Sequence, residues 1–199
     1  RRLAFEVKEA RELMESLFPQ KGLFKRPEIH IAHRRIQATT ISGDFYHFIP
    51  RGDGSLGIYF VDVEGHGLSA SSQARSLYQA VTDGEWGLGD ARRELEKADE
   101  LVRKAAIFQK EEAAFCMNFT EIDPERMEIR HANAGMPFPL LFRWGQSQPE
   151  PIQAAGVYVG AGYGLYPVKP KRAEVKVGDG DLLVIFSDGI LEARDRRGR

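Results

Sequence analysis

The chain has 199 residues, 42% hydrophobic and 29% charged, with a net charge of −1 and one cysteine. These values suit one domain with a sizeable core, argue against general attraction to nucleic acid or anionic membranes, and exclude an internal disulfide framework. No stretch resembles a signal peptide or an apolar span of about 18 residues, so we expect a cytoplasmic protein with neither membrane nor nucleic acid as a partner.

The first segment predicts an amphipathic helix that packs along a narrow seam. Its apolar residues alternate between spacings of four and three: Leu3, Val7, Ala10, Met14 and Leu17. We assign residues 1–20 to a linker or dimerisation helix, which makes a homodimer possible, and residues 21–199 to the main domain. The alternative is that the seam packs on the domain's own sheet.

Residues 29–40 alternate in places between apolar and polar side chains and predict one strand or two. Arg34 and Arg35 within this segment could meet a phosphate, although charged side chains on a strand face are often simply solvated. The segment leads to Asp44, which follows a glycine and precedes two aromatic residues.

A hairpin is predicted next. Turn-forming residues at 51–55 join a strand over Phe45–Ile49 to a strand over Leu56–Val63. This arrangement places Asp44 and Asp62 on neighbouring strands. Asp62 is an acid at the end of a buried strand, and it precedes a glycine-rich turn where the backbone can approach a ligand closely.

Two helices should follow, one over 70–81 and one capped by Asp90 that runs to Ile107. The chain then switches to strands, and Cys116 in an apolar run is expected to be a core residue. Pro149–Tyr166 predicts a long loop. Strands are predicted over Phe115–Ile122, Met127–Ala132 and Pro139–Trp144, and a final hairpin over Ala173–Val177 and Leu182–Phe186. The order of elements indicates an α+β domain with antiparallel sheet.

Asp188 repeats the pattern of Asp44 and Asp62, since it also lies at a strand end with a glycine nearby. Three such aspartates predict one convergent acidic site. Hard divalent cations such as Mg²⁺ or Mn²⁺ prefer oxygen ligands, and two ions roughly 4 Å apart can hold a phosphate and a shared water.

Four short motifs resemble, in order and spacing, the SpoIIE/RsbU branch of the PPM metal-dependent protein phosphatases. They are Gly43-Asp44-Phe45-Tyr46, Asp62-Val63-Glu64-Gly65-His66-Gly67, Asn133-Ala134-Gly135 and Ser187-Asp188-Gly189-Ile190-Leu191-Glu192-Ala193. The resemblance implies an αββα sandwich, in which two antiparallel sheets pack face to face, flanked by helices, with the metal site at one end.

The same resemblance implies a metal-dependent protein serine/threonine phosphatase. Asp44, Asp62, the backbone carbonyl of Val63 and Asp188 would be metal ligands for Mn²⁺ or Mg²⁺, with two ions in the complete domain. Metal-activated water would hydrolyse phosphoserine or phosphothreonine on a phosphorylated regulatory protein of the anti-anti-sigma type. Relatives of this kind commonly carry an upstream sensor domain, which we therefore expect in the parent chain.

His66 at the mouth of the predicted site could act as a general acid for the leaving alkoxide, or it could orient other groups. Glu64 would hold metal-bound water rather than the metal. Asn133 with Gly135 is interpreted as a turn that shapes the site from behind the ligands.

The chain departs from the family pattern at three positions, Ser42, His47 and Met136, and it contains no further acidic motif after Asp188. The missing acid, His47 and Met136 favour an alternative function, a catalytically silent regulatory binding module with the PPM fold. The missing acid also predicts that one ion site, built on Asp62 and the Val63 carbonyl, is better formed than the other. A carboxylate-metal nuclease fits less well because the chain lacks a basic face.

Overall fold

The computed structural model describes residues 26–36, 43–63, 68–83, 89–104, 115–159 and 170–193, together with Lys8, Glu12 and Glu15. Those three residues are helical, and the Lys8 ammonium lies 3.6 Å from the Glu12 carboxylate one turn away, with both side chains mostly exposed. The apolar seam predicted for residues 1–20 lies outside the described residues, so its role as a linker or dimerisation helix stays a prediction.

Eight strands and two helices make up the described domain. The strands are β1 (Phe45–Pro50), β2 (Leu56–Val63), β3 (Phe115–Asp123), β4 (Glu128–Ala134), β5 (Leu140–Phe142), β6 (Glu150–Pro151), β7 (Arg172–Lys176) and β8 (Leu182–Val184). The helices are α1 (Leu68–Asp83) and α2 (Ala91–Lys104), and a 3₁₀ turn covers Asp188–Ile190.

The hairpin predicted between β1 and β2 is confirmed. The strands pair antiparallel from Phe45 opposite Val61 to Pro50 opposite Leu56. The turn closes because the Gly54 amide donates to the Arg51 carbonyl at 3.1 Å, with Gly54 at φ +86°, a conformation that favours glycine. The turn therefore sets the register that brings Asp44 beside Asp62.

The strands form two antiparallel sheets, one of five strands in the order β1-β2-β3-β4-β7 and one of three strands in the order β6-β5-β8. The predicted final hairpin is therefore wrong, because β7 pairs with β4 in the first sheet and β8 pairs with β5 in the second. The chain crosses from one sheet to the other at residues 178–181.

Asp181 explains why this turn does not close a hairpin. Its carboxylate accepts the amide of Gly178 at 2.9 Å within the turn and the amide of Trp144 at 2.9 Å beyond β5. The Arg143 guanidinium lies 3.1 Å away. These bonds tie the turn to the end of β5, so β8 emerges beside β5 rather than beside β7.

Both helices pack on one face of the five-stranded sheet. Asp90 caps α2 as predicted, since its carboxylate accepts the backbone amides of Arg92 and Arg93 at 3.0 and 3.1 Å. Leu95 and Ala98 are fully buried against the sheet, as the apolar pattern of this helix predicts. This layer contains most of the large core side chains.

The opposite face of the five-stranded sheet is covered by the three-stranded sheet and by residues 26–36. Ile29 and Ile31 pack against a cluster that includes Tyr46 and Phe48. The strand predicted over 29–40 is wrong where the structure describes it, because residues 30–36 form no strand. Ile29 and Ile31 alternate with polar residues because they cover the sheet face, without a ladder of backbone hydrogen bonds, whereas Ile36 is exposed.

The fold class is the predicted α+β type, with two antiparallel sheets stacked face to face and helices on the outer face of the larger sheet. The second helix layer of the αββα arrangement does not occur among the described residues. No helix in the described part of the chain has the length and apolar character needed to cross a membrane.

Candidate metal centre

Side-chain alternation along β2 decides where Asp62 points. Tyr59, Val61 and Val63 are buried against the helices, so Phe60 and Asp62 lie on the opposite face, toward the second sheet. Phe60 packs with the cluster on that face, as expected. Asp62 therefore enters the space between the sheets at the end of its strand.

Asp44 reaches the same space from the neighbouring strand. The register of the hairpin places Asp44, directly before β1, next to Asp62 and on the same face as Tyr46. Gly43 makes this approach possible, because a Cβ atom there would lie 3.0 Å from both the Cβ and the carbonyl oxygen of Val63. The Val63 carbonyl thus lies beside the residue that precedes Asp44.

Asp188 comes from the other sheet. It begins the 3₁₀ turn that follows β8, and its backbone carbonyl accepts the amides of Leu191 and Glu192 at 2.7 and 2.9 Å. Its side chain reaches across to Asp62, with which it shares a hydrogen bond. Acids from three separate parts of the sequence therefore meet at one end of the sandwich.

Burial and the neighbouring acids dominate the electrostatics of this cluster. Burial, then the charges of Asp44 and Asp188, and then hydrogen bonds to both raise the pKa of Asp62 to about 8. A carboxyl group in such surroundings is stabilised by a proton or by a cation, because like charges held close together in a low dielectric repel. The cluster therefore has the electrostatic character of a cation site.

The donor set fits a hard divalent ion, since it offers carboxylate oxygens and a backbone carbonyl. The described residues do not, however, hold three acidic, imidazole or thiol side chains arranged as the ligands of a single ion. Asp62 instead lies within hydrogen-bond reach of each of the other two acids. Binding a cation would therefore replace these carboxyl–carboxyl bonds with bonds to the ion.

Cys116 corrects one expectation from the sequence. It is half-buried rather than a core residue, and it lines the cleft between the sheets. The pairing of β2 with β3 puts Cys116 directly opposite Asp62. An uninterrupted apolar run carries no sign of which face each residue takes, so only the register of the strands could have revealed this position.

Asn133 and Gly135 shape the wall beside Cys116. The Asn133 carboxamide accepts the Met136 amide at 2.9 Å and donates to the Met136 carbonyl at 2.7 Å, which closes the turn after β4. Gly135 has φ +87°, and a Cβ atom there would lie 2.8 Å from the Cys116 sulfur. Met136 itself is buried and does not line the cleft that holds the acids.

His47 lies away from the acidic cluster. It occupies the helix-facing side of β1, where its ring meets that of Tyr78 edge to face at 5.3 Å. Burial lowers the pKa of His47. Its departure from the family pattern therefore does not change the acidic site directly.

Several predicted site residues lie outside the described residues, namely Ser42, Glu64, Gly65, His66 and Gly67. Arg34 and Arg35 are described, and both line the cleft. The His33 imidazole lies 2.6 Å from the Tyr46 hydroxyl, which ties this segment to the strand that follows Asp44. Sequence reasoning did not identify this contact, because residues 30–36 were expected to pair as a strand.

The cleft that contains the three acids has a volume of about 1810 Å³. Sites for small ligands commonly enclose about 300–1,000 Å³. The cleft is therefore larger than the usual site for a free small molecule.

Known proteins share sequence and fold with this chain. The family model described as "Stage II sporulation protein E (SpoIIE)" matches residues 52–199. Phosphoserine phosphatase RsbU of Bacillus subtilis (strain 168) is 24% identical over 167 residues, which cover 82% of this chain. The chain spans 47% of the length of that relative.

Solved structures share the fold. The SiaA-PP2C domain of Pseudomonas aeruginosa superimposes with a TM-score of 0.75 at 17% identity, covering 96% of this chain and 74% of that one. RsbX, solved in complex with magnesium, superimposes with a TM-score of 0.57 at 17% identity, covering 77% of this chain and 69% of that one. At these identities the likeness concerns the fold alone.

Proposed function

The chain belongs to the SpoIIE family, and on that premise we propose that it is a metal-dependent protein serine/threonine phosphatase. One observation carries the proposal: Asp44, Asp62 and Asp188, from three distant stretches of sequence, meet in the cleft between the sheets. A buried group of acids is unfavourable for stability by itself, so its presence points to a bound cation.

Asp62, the Val63 carbonyl, Asp44 and Asp188 would hold Mn²⁺ or Mg²⁺, with two ions expected in the complete domain. A relative in fold is described in complex with magnesium, which supports a divalent ion of this class. When bound, such ions supply an activated water and stabilise charge on the phosphoryl oxygens. The protein's own contribution is to position the acids from two sheets and to hold Val63 against Gly43.

His66 is proposed as the general acid that protonates the leaving serine alkoxide. The residue follows Asp62 by four positions in the sequence. His66→Gln should lower turnover of a phosphoserine protein more than turnover of p-nitrophenyl phosphate, whose leaving group needs little protonation. Equal losses on the two substrates would assign His66 to positioning instead.

The substrate is proposed to be a phosphorylated regulatory protein of the anti-anti-sigma type, with a sensor domain upstream in the parent chain. The curated relative RsbU is named a phosphoserine phosphatase, which supports a phosphoserine substrate. The near-neutral net charge of the chain supports recognition by local contacts rather than by a general field.

A catalytically silent module with the same fold is the second candidate. The arrangement of the acids favours it, because the described residues include no three such side chains placed as ligands of a single ion. The two candidates differ in what Mn²⁺ does: a phosphatase gains turnover, whereas a silent module binds its partner without hydrolysis.

Calorimetric titration with Mn²⁺, paired with phosphate release from a phosphoserine protein, tests the proposal. We expect saturable Mn²⁺ binding, metal-dependent hydrolysis, and loss of both in Asp188→Asn. Glu125→Gln, the same acid-to-amide change on an exposed turn that does not line the cleft, is the matched control and should leave both intact. Mn²⁺ binding without hydrolysis would support the silent module, and absence of Mn²⁺ binding would refute the metal centre.

A further inference from the structure

Exposed apolar side chains concentrate around the acidic centre. Ile36, Tyr158 and Ile190 line the cleft that holds the acids, although they are 83%, 45% and 66% exposed. Val157 and Leu191, their neighbours in the chain, are 60% and 66% exposed. We call these five residues the apolar rim. Among the described residues two other large apolar side chains are comparably exposed: Leu182, which also lines the cleft at the start of β8, and Trp144, which does not line it.

The fold holds Tyr158 beside the centre. Val159 and Phe115 exchange backbone hydrogen bonds of 3.2 and 3.0 Å, which anchors the loop at the end of β3 next to Asp62. A Cβ atom on Gly135 would lie 3.1 Å from the Cβ of Tyr158, so the loop packs directly on the wall that contains Cys116. The ring is therefore presented at a fixed place.

Ile190 and Leu191 are fixed by the turn that carries Asp188. The Ile190 amide donates to the Ser187 carbonyl at 3.3 Å, and the Leu191 amide donates to the Asp188 carbonyl at 2.7 Å. Whatever approaches the Asp188 carboxylate therefore also approaches these two side chains. Isolated exposed apolar residues are common, but a group from three segments around one site indicates an interaction surface.

Another edge of the cleft is cationic. Arg34 is exposed, and Arg35 lies close enough to Tyr46 that its charge opposes the rise that burial causes in the pKa of that hydroxyl. The bond between His33 and Tyr46 holds this segment against β1, two residues beyond Asp44. A partner that reaches the acids thus meets apolar side chains and positive charge.

Building on the proposed function, we propose that the apolar rim docks a folded phosphoprotein, which presents apolar side chains on one side of its phosphoserine and acidic side chains toward Arg34. A small phosphomonoester would touch the acids without covering the rim. A short flexible peptide would lose more conformational entropy on covering a surface built from three segments than a prefolded domain would. Electrostatic complementarity at Arg34 would raise the association rate.

The test compares a folded anti-anti-sigma-type domain phosphorylated on one serine, a short phosphoserine peptide of the same local sequence, and p-nitrophenyl phosphate. For a variant carrying Val157→Ser and Leu191→Ser we expect kcat/KM toward the folded phosphoprotein to fall about tenfold. Hydrolysis of p-nitrophenyl phosphate should stay within about twofold, since neither residue lines the cleft. Trp144→Ser, which removes an exposed apolar side chain that does not line the cleft, is the control and should change neither rate.

The contribution of the positive charge of Arg34 is tested with a separate variant. Arg34→Glu should lower kcat/KM toward the folded phosphoprotein at low ionic strength, with a smaller effect at high salt. Arg75→Glu makes the same change of charge on the exposed side of α1, behind the sheet, and should have no such effect.

Equal losses on the folded protein and on p-nitrophenyl phosphate, or no loss on either, would overturn the docking proposal. A changed sedimentation coefficient in the variant carrying Val157→Ser and Leu191→Ser would also overturn it, because the apolar rim would then be a surface for self-association. Calorimetric measurement of binding of the folded phosphoprotein separates the docking proposal from the proposed phosphatase activity. If the unaltered chain binds it through the rim but hydrolyses no substrate, docking stands and the proposed phosphatase activity fails.

Discussion

Asp62 belongs to the five-stranded sheet and Asp188 follows the last strand of the other sheet, yet their carboxyl groups share a hydrogen bond. Two carboxyl groups share such a bond only when one of them carries a proton. The two sheets are therefore joined at this end by a contact whose stability depends on a proton or a cation.

The first prediction removes the charge of Asp62 while keeping its shape. In the absence of divalent metal at neutral pH, Asp62→Asn should raise the free energy of unfolding by on the order of 1 kcal/mol, because folding of the unaltered protein requires Asp62 to take up a proton or to stay charged among the other acids, and asparagine requires neither. With Mn²⁺ the unaltered protein should be the more stable of the two, since metal binding stabilises only that protein. Thermal melts with EDTA and with Mn²⁺ measure both effects. An equal Mn²⁺-induced rise in Tm in both proteins would exclude Asp62 as a ligand.

Gly43 gives a second prediction. Alanine there would bring a methyl group to 3.0 Å from the Val63 carbonyl oxygen and to 3.3 Å from the Cβ of Ala70. Both neighbours lack a flexible side chain that could move aside, so the backbone at Asp44 or Val63 must shift. We expect Mn²⁺ affinity to fall about tenfold or more, as found when supporting groups around a metal are altered.

Gly52→Ala is the control for this experiment, because nothing lies within 4 Å of a Cβ atom at Gly52. It should leave Mn²⁺ affinity unchanged. Calorimetric titration of the two variants decides the matter. Unchanged affinity in Gly43→Ala would mean that the Val63 carbonyl takes no part in the site.

The pairing of Asp44 with Asp62 could be predicted from the sequence because a short turn fixes the register of a hairpin. Once the turn at 51–55 is assigned, the two acids must lie near each other on neighbouring strands. The convergence of Asp188 with these acids is predicted by its similar place near a glycine at a strand end and by the family resemblance. Strand register could not predict it, since the sheet of β8 is separate from theirs.

The path of the chain between β7 and β8 could not be predicted. A glycine-rich turn between two apolar segments is typical of a hairpin, and the sequence does not reveal that Asp181 bonds instead to the amide of Trp144, far away in the chain. The position of Cys116 was missed for a related reason, because a run of apolar residues does not reveal which side chains face which layer.

The third prediction concerns a buried charge network at the other end of the sheet. The Glu121 carboxylate lies 2.9 Å from Arg51 and 3.0 Å from Arg130, and its side chain is 2% exposed. Burial raises the pKa of Glu121, and the two arginines oppose this rise. Glu121→Gln leaves two poorly exposed guanidinium groups without this partner, so we expect a loss of about 2–3 kcal/mol in the free energy of unfolding.

Glu96→Gln provides the matched control for the network. The Glu96 carboxylate lies 2.9 Å from Arg92 on the surface of α2, where the side chains are 36% and 59% exposed. The same chemical change there should cost less than about 1 kcal/mol. Urea unfolding measures both variants, and similar losses would show that burial does not set the strength of the network. Mn²⁺ binding should be unaffected in either, because Glu121 pairs with Gly57, far from Asp62 along β2.

The last prediction follows from His131, which lies fully buried on β4 opposite Thr120, with its Nδ1 atom 2.9 Å from the threonine hydroxyl. Burial lowers the pKa of His131 to about 4. The folded protein therefore holds the neutral imidazole, whereas the unfolded chain takes up a proton near pH 6.5. The contribution of His131 to the free energy of unfolding is therefore fully present above about pH 6.5 and is lost as the pH falls toward 4.

The pKa difference corresponds to roughly 3 kcal/mol in total, of which about 2 kcal/mol should be lost by pH 5. Asp62 acts in the opposite direction in metal-free protein, because its raised pKa makes the fold less stable as the pH rises toward 8. The comparison must therefore be made against His131→Gln, which keeps a polar side chain but cannot titrate. Between pH 7.5 and pH 5 the unaltered protein should lose about 2 kcal/mol more than the variant in urea unfolding. An NMR titration of the imidazole gives an independent readout if the variant folds poorly, and a His131 pKa near 6.5 would contradict the prediction.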